Sequence, residues 1–118
     1  MKNRPYENSY FDFLESGDSK DYDMSEFREM VVIAKEYGGD VYDVLVEDGS
    51  DDEIDTIELA ANEAKYLTVR ADQIPDGENT ITVDTSAGDN TGDVVVVVIK
   101  NNPRDLPVGD NLDGEYII

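Results

Sequence analysis

The sequence contains no cysteine, no histidine and no tryptophan. Without cysteine the chain has no disulfide framework and no thiolate site for metal or redox chemistry. Without histidine it lacks the usual general base, the commonest metal ligand and the side chain that titrates near neutral pH. The serine and threonine hydroxyls therefore have no imidazole to activate them as nucleophiles. These absences predict that the protein is not an enzyme and uses no cofactor.

Basic residues are also scarce. Nine Lys and Arg stand against 29 Asp and Glu in 118 residues, so the formal net charge is −20. Like charges crowded on a small domain repel one another in dilute buffer, whereas at 1 M salt the Debye length falls to roughly 3 Å and most of the repulsion is screened. The acids are spread along the whole chain rather than gathered in one tail. We therefore expect a protein that works in concentrated salt, from a halophile or one of its viruses.

The charge pattern also limits the classes of molecule that this protein is expected to bind. Binding to a phosphate backbone needs clustered Lys and Arg, and here the bases stand singly, so nucleic acid is not expected as a partner. No apolar run approaches the ~20 residues that cross a bilayer, which argues against a membrane partner. No apolar segment follows the charged first residues, so we expect synthesis in the cytosol without a secretory signal. An acidic DNA mimic or inhibitor is the alternative that the charge leaves open.

High charge combined with few apolar residues can also mean disorder. The apolar fraction of 39% is modest, but it is gathered in strand-like clusters such as 31–33 and 94–99. One folded all-β domain is therefore expected over residues 30–100, with an N-terminal arm at 1–29 and an extended tail at 101–118.

The N-terminal segment 1–29 holds six of the ten aromatic side chains without sustained periodicity. Aromatic residues are enriched at interfaces, so this arm is predicted to bind neighbouring protein subunits. The contact residues predicted in it are Tyr6, Tyr10, Phe11 and Phe13. The alternative is that the arm folds back and completes the core of its own domain. Within it, Asp23-Met24-Ser25-Glu26 resembles a capping box and predicts a helical turn over 25–30, and Phe13-Leu14 predicts another turn.

Short apolar runs separated by turn residues predict strands across the middle domain. They lie at 30–35, 41–47, 54–59, 66–70, 80–84 and 94–99. The segment 54–59 has a helical alternative that would continue through the alanines after it. The β-branched run 94–99 is predicted to be a strand covered on both faces.

The tail 101–118 contains Pro103 and Pro107, which favour an extended exit from the domain. It ends in an apolar sequence that includes Tyr116 and Ile117. Exposure of such a terminus on a soluble monomer would be unusual, so these two residues are predicted to dock on the domain's own sheet or on a neighbouring subunit.

The last part of the middle domain resembles immunoglobulin-like and fibronectin-type sandwiches. The likeness rests on Tyr66-Leu67-Thr68-Val69, the turn Ile74-Pro75-Asp76-Gly77, the strand Thr80-Ile81-Thr82-Val83-Asp84 and the final valine strand. It covers 64–100 well and 30–60 loosely, and the sequence lacks the two Cys and the core Trp of antibody domains. The resemblance implies an antiparallel β-sandwich and says nothing specific about function.

Two acidic loops are candidates for a structural cation. The first holds Asp48, Asp51, Asp52, Glu53 and Asp55, but its spacing does not match an EF-hand. The second loop, from Asp84 to Asp93, contains Asp84, Asp89, Asn90 and Asp93. A solvated acidic turn is the favoured interpretation of both, because in so acidic a chain carboxylates meet by chance.

Taken together, these features predict a non-enzymatic structural protein with adhesive segments at both ends. By architecture it resembles a capsid decoration or head–tail accessory protein of a halophilic archaeal tailed virus. We expect it to be a homo-oligomer or present in many copies, and to bind shell subunits such as the major capsid protein. Its expected location is the virion. A cell-surface or adhesion module is the alternative.

Overall fold

The computed structural model describes residues 10–70, 72, 74, 79–87 and 90–101. They form eight strands: β1 (Tyr10–Glu15), β2 (Ser19–Asp23), β3 (Glu29–Glu36), β4 (Tyr42–Asp48), β5 (Glu53–Leu59), β6 (Ala64–Arg70), β7 (Thr80–Asp84) and β8 (Val94–Asn101). The six strands expected over 30–100 are confirmed as β3 to β8. The segment 54–59 is a strand, not a helix, because β5 pairs with β4 from Tyr42 to Glu47, with one register shift between Val46 and Glu47.

The strands form two antiparallel four-stranded sheets. Sheet 1 has the order β1-β8-β3-β6 and sheet 2 the order β2-β7-β4-β5. The predicted class, an antiparallel β-sandwich, is confirmed. Only β4 and β5 are neighbours both in sequence and in space, and the other connections cross between sheets, as in eight-stranded jelly rolls. The likeness to immunoglobulin domains holds at the level of the sandwich, whereas the strand order differs, since β7 and β8 lie in opposite sheets.

The segment 10–29 belongs to the sandwich, so the expected arm boundary at residue 29 does not separate it from the domain. Strand β1 pairs with β8 along its whole length, from Tyr10 opposite Lys100 to Glu15 opposite Val95. Strand β2 pairs in the same way with β7. The helical turns expected at 13–14 and 25–30 are wrong. Residues 13–14 lie in β1, and the Asp23 carboxylate accepts the Ser25 N–H at 2.8 Å in a short turn before β3.

The core lies between the two sheets and is made by alternate residues of the strands, as the period of two requires. Met30, Val32 and Ala34 of β3 face the interior together with Val94, Val96 and Val98 of β8. From sheet 2 come Tyr42, Val44 and Val46 of β4, with Val83 of β7 opposite Val46 and Ile81 opposite Asp48. Leu14 and Tyr22 of β1 and β2 are buried as well, so the N-terminal strands complete the core.

One buried carboxylate ties three loops to the end of sheet 1. Glu36 is fully buried at the end of β3 and accepts four backbone N–H groups at 2.8–3.0 Å, those of Gly38, Gly39, Asn62 and Asp93. Burial alone raises the pKa of a carboxyl, but the backbone donors outweigh it and hold the pKa of Glu36 at about 2, below its ordinary 4.5. A Cβ at Gly92 would collide with this carboxylate, which explains the glycine there.

The part of the chain that the structure describes contains no helix long and apolar enough to cross a membrane.

Candidate functional site

The outward side of sheet 1 carries aligned rows of apolar side chains. In the first row, Phe11 of β1 lies opposite Ile99, which lies opposite Val31. In the second, Phe13 lies opposite Val97, Val97 opposite Ile33, and Ile33 opposite Tyr66. The third row adds Val95. We call this surface the apolar face and define it by Phe11, Phe13, Val31, Ile33, Tyr66, Val95, Val97 and Ile99.

The aromatic residues of the apolar face are open to solvent. Tyr66 is 72% exposed, Phe11 62% and Phe13 61%. A shallow depression of about 280 Å³ beside them is lined by Val31, Ile33, Ala64, Lys65 and Tyr66. The largest contiguous apolar patch on a protein surface is often a site where another molecule binds.

The prediction that β8 is covered on both faces is wrong. Its inward residues Val94, Val96 and Val98 are fully buried, but Val95 is 37% exposed, and Val97 and Ile99 are only half-buried. Strand β8 is flanked by β1 and β3 within sheet 1, and its outer side belongs to the apolar face. The apolar character of this side therefore has no explanation within the described part of the domain.

Formal charge is distributed unequally between the two sheets. The strands of sheet 1 contain four acids and four bases, a net charge of zero. The strands of sheet 2 contain nine acids and a single base, a net charge of −8. In a chain whose total is −20, sheet 1 is thus an electrically neutral surface.

The outward side of sheet 2 is acidic, in contrast to the apolar outward side of sheet 1. We call it the acidic face and define it by Asp21, Asp23, Asp43, Glu47, Glu58 and Asp84. Asp43 lies directly opposite Glu58, and like charges in that position destabilise a sheet. The pKa of Glu47 is raised, by partial burial first and then by the surrounding carboxylates of Asp51, Asp84, Asp48 and Glu53.

Two of the residues predicted to bind partners, Phe11 and Phe13, lie together on the apolar face. Tyr10 does not join them, because it alternates to the other side of β1, where its ring lies 4.5 Å from the Lys100 Nζ. That ammonium also lies 4.7 Å from the Phe27 ring and donates to the Asp23 carbonyl at 2.9 Å. Tyr6, Tyr116 and Ile117 are outside the described residues.

The first acidic loop is closed by its own side chains. Asp48 is buried, and its carboxylate accepts the Ser50 N–H at 2.8 Å and the Asp52 N–H at 3.0 Å. Asp51 is exposed with φ 64°, the left-handed conformation that such a tight turn imposes. Asp55 is also exposed and accepts the N–H of Thr56, whose hydroxyl donates to Glu53. Asp48, Glu53 and Asp55 therefore accept hydrogen bonds from within the loop and β5.

The second acidic loop is organised in the same way. Asp84 accepts both the N–H and the hydroxyl of Ser86, at 2.8 and 2.6 Å. The side chain of Asn90 exchanges hydrogen bonds with the backbone of Asp43, and the Asp93 N–H donates to Glu36. Asp89 lies outside the described residues. Within the described ranges, no three Asp or Glu side chains are grouped so as to hold a metal ion.

Sequence reasoning missed most of the apolar face. Val31, Ile33 and Tyr66 were assigned to strands without a role, although β3 and β8 both carry apolar residues on both sides. A strand that is apolar on both sides is either covered on both sides or offers one side to a partner. The apolar residues on both sides of β3 and β8 were therefore the feature of the sequence from which a partner-binding face could have been predicted.

No protein-family model and no curated protein matches the sequence. Among solved structures, the chain is similar to the carbohydrate-binding module CBM36 in complex with calcium and xylotriose, with 12% identity, a TM-score of 0.50, and coverage of 79% of this chain and 88% of that one. The CBM36-1 domain of a multidomain xylanase from the hindgut metagenome of Trinervitermes trinervoides gives 11% identity, a TM-score of 0.50 and coverage of 78% of both chains. A pilus protein of Bacillus endospore appendages gives 14% identity and a TM-score of 0.42, with coverage of 80% and 87%. At these identities the CBM36 likeness establishes a β-sandwich fold alone.

Proposed function

We propose that this protein is a non-enzymatic structural subunit of a multi-subunit assembly in concentrated salt. The observation that carries the proposal is the apolar face, a neutral and largely aliphatic and aromatic surface on a chain of net charge −20. Such a surface gains free energy when it is removed from water, at roughly 25 cal/mol per Å² of apolar area. Its outward residues include no catalytic constellation, which fits a docking role.

The particular assembly we propose is the capsid of a halophilic archaeal tailed virus, in which the protein would act as a decoration or head–tail accessory protein. The division of charge supports this, because a decoration protein needs one side to bind subunits and another to face the medium. Hydrated carboxylates on the acidic face suit the side in contact with concentrated salt. Tyr6, Tyr116 and Ile117 are proposed as additional contacts to shell subunits.

The test is incorporation into particles. We expect wild-type chain in purified particles at a fixed, multi-copy ratio to the shell protein, measured by quantitative mass spectrometry. The double substitution Phe13→Ser with Tyr66→Ser, which removes both ends of the central apolar row, should reduce that ratio at least about tenfold, since buried aromatic anchors dominate interfaces.

The matched control is Tyr37→Ser with Val41→Ser. These side chains are 56% and 57% exposed and lie in the β3–β4 connection, outside the apolar face. The control should be incorporated normally. Normal incorporation of the Phe13/Tyr66 variant, or wild-type chain that stays free while particles form, would contradict the proposal. Retention of the isolated protein on insoluble xylan through Phe13 and Tyr66 would indicate glycan binding instead.

A further inference from the structure

We infer that the apolar face is the docking surface for a second copy of this chain, with sheet 1 packed against sheet 1. This inference rests on the proposed function, because it names a second copy as the subunit that covers the apolar face and leaves contacts with shell subunits to Tyr6, Tyr116 and Ile117. Its starting point is that two copies of a chain with net charge −20 still repel each other where carboxylates come into direct contact, since concentrated salt screens only charges more than about a Debye length apart. The strands of sheet 1 sum to zero charge, so two copies of this surface approach without net repulsion.

The geometry of stacked sheets favours this pairing further. Packed sheets lie ~10 Å apart, so a dimer built on sheet 1 places its two copies of sheet 2 about 30 Å from each other. That is about three Debye lengths at 0.1 M salt and about ten at 1 M. The −8 charges of the two copies of sheet 2 are therefore screened from each other in the dimer. No other pairing of the two sheet faces separates them as far.

The ends of the apolar face are compatible with twofold symmetry. At one end, Glu15 of β1 and Lys35 of β3 both lie opposite Val95. At the other end, Glu29 of β3 lies opposite Arg70 of β6. Each end thus carries one acid and one base, so a twofold dimer in either orientation opposes ends with no net charge.

The area of the apolar face determines how stable we expect the dimer to be. Four strands at ~4.8 Å spacing and about six residues at ~3.3 Å give a projected area of about 380 Å² per copy. This is below the ~800 Å² of accessible surface that a standard interface buries per partner. We therefore expect a reversible dimer whose fraction rises with concentration, rather than an obligate one.

Sedimentation equilibrium of the isolated full chain in 3 M KCl tests the inference. Wild type is expected to pass from monomer to dimer as concentration rises. Phe13→Ser with Tyr66→Ser should raise the dimer dissociation constant at least about tenfold, because a twofold interface uses each residue twice. Tyr37→Ser with Val41→Ser should dimerise as wild type does. Unchanged far-UV circular dichroism confirms that both variants are folded.

Each result bears on the inference. A wild-type monomer at every concentration overturns it, and so does a dimer that the Phe13/Tyr66 variant does not weaken. If the chain is monomeric in solution but enters particles through this face, the partner is a different subunit, and the proposed function stands while this inference fails. If the face-dependent dimer forms but never enters a particle, the inference stands and the proposed function fails.

Discussion

Glu36→Gln is expected to lower the melting temperature of the protein at pH 7 more than any other single neutralisation of an acid within the described strands. The Glu36 carboxylate accepts the N–H groups of Gly38, Gly39, Asn62 and Asp93 in a fully buried position. An amide in its place has one acceptor oxygen instead of two and directs an NH₂ group at backbone donors. Buried N–H groups left without acceptors are costly, and three loops would lose their common anchor.

The effect should depend on pH in one direction. The pKa of Glu36 is about 2 in the folded protein and about 4.5 ordinarily, so the folded state favours the ionised form. Its contribution to stability is therefore complete above about pH 4.5 and is lost as the pH falls from there towards 2. The difference in melting temperature between wild type and Glu36→Gln should be largest near pH 7 and should shrink over that window.

Glu58→Gln is the matched control for this prediction. It makes the same chemical change on the acidic face, where Glu58 is exposed and lies opposite Asp43. Removing one of two opposed charges should leave the melting temperature unchanged or raise it slightly. Thermal unfolding in 3 M KCl, followed by circular dichroism from pH 2 to 7, measures both variants. Equal melting temperatures for Glu36→Gln and Glu58→Gln at pH 7 would show that the buried carboxylate is not an anchor.

Low salt is expected to unfold the isolated protein. Below roughly 0.5 M KCl the sheet signal in far-UV circular dichroism should be lost, because screening weakens and repulsion among the carboxylates returns. The repulsion is concentrated in sheet 2, whose strands contain nine acids. Asp43 and Glu58 lie opposite each other in its ladder.

A charge reversal on sheet 2 makes this prediction specific. Glu58→Lys replaces the repulsion with Asp43 by an attraction and should move the unfolding midpoint to lower salt. Tyr37→Ser, which changes no charge, should leave the midpoint where it is. A melting temperature that stays flat from 0.1 to 3 M KCl would contradict the halophilic part of the proposal.

Strands β3 to β8 could be predicted from the sequence because each carries its own signal. In β4 and β7, residues with period-two alternation, such as Val44 and Val46 or Ile81 and Val83, proved to be the buried ones. Strands β1 and β2 could not be predicted in this way. Neither strand alternates by itself: β2 has a single apolar residue, Tyr22, and β1 has apolar residues on both of its sides, interrupted by Asp12.

The candidate site was predictable only in part. Phe11 and Phe13 were found because an aromatic-rich segment without periodicity predicts an interface, but Tyr10 next to them packs beside Lys100 instead. The pattern of β8 identified a strand, yet a run of valines does not reveal whether its second side meets the same chain or another. The role of Glu36 could not be predicted from the sequence. The four backbone N–H groups that donate to its carboxylate come from three loops that only the fold brings together.

Hydroxyl-radical footprinting tests the central claim most directly, that subunits meet at the apolar face. The exposed aromatic residues Phe11, Phe13 and Tyr66 should be labelled readily in the dilute protein in 3 M KCl and should become protected as it assembles. Tyr37, which is 56% exposed outside this face, should be labelled equally in both states. Unchanged labelling of Phe11, Phe13 and Tyr66 in the assembled state would contradict the account.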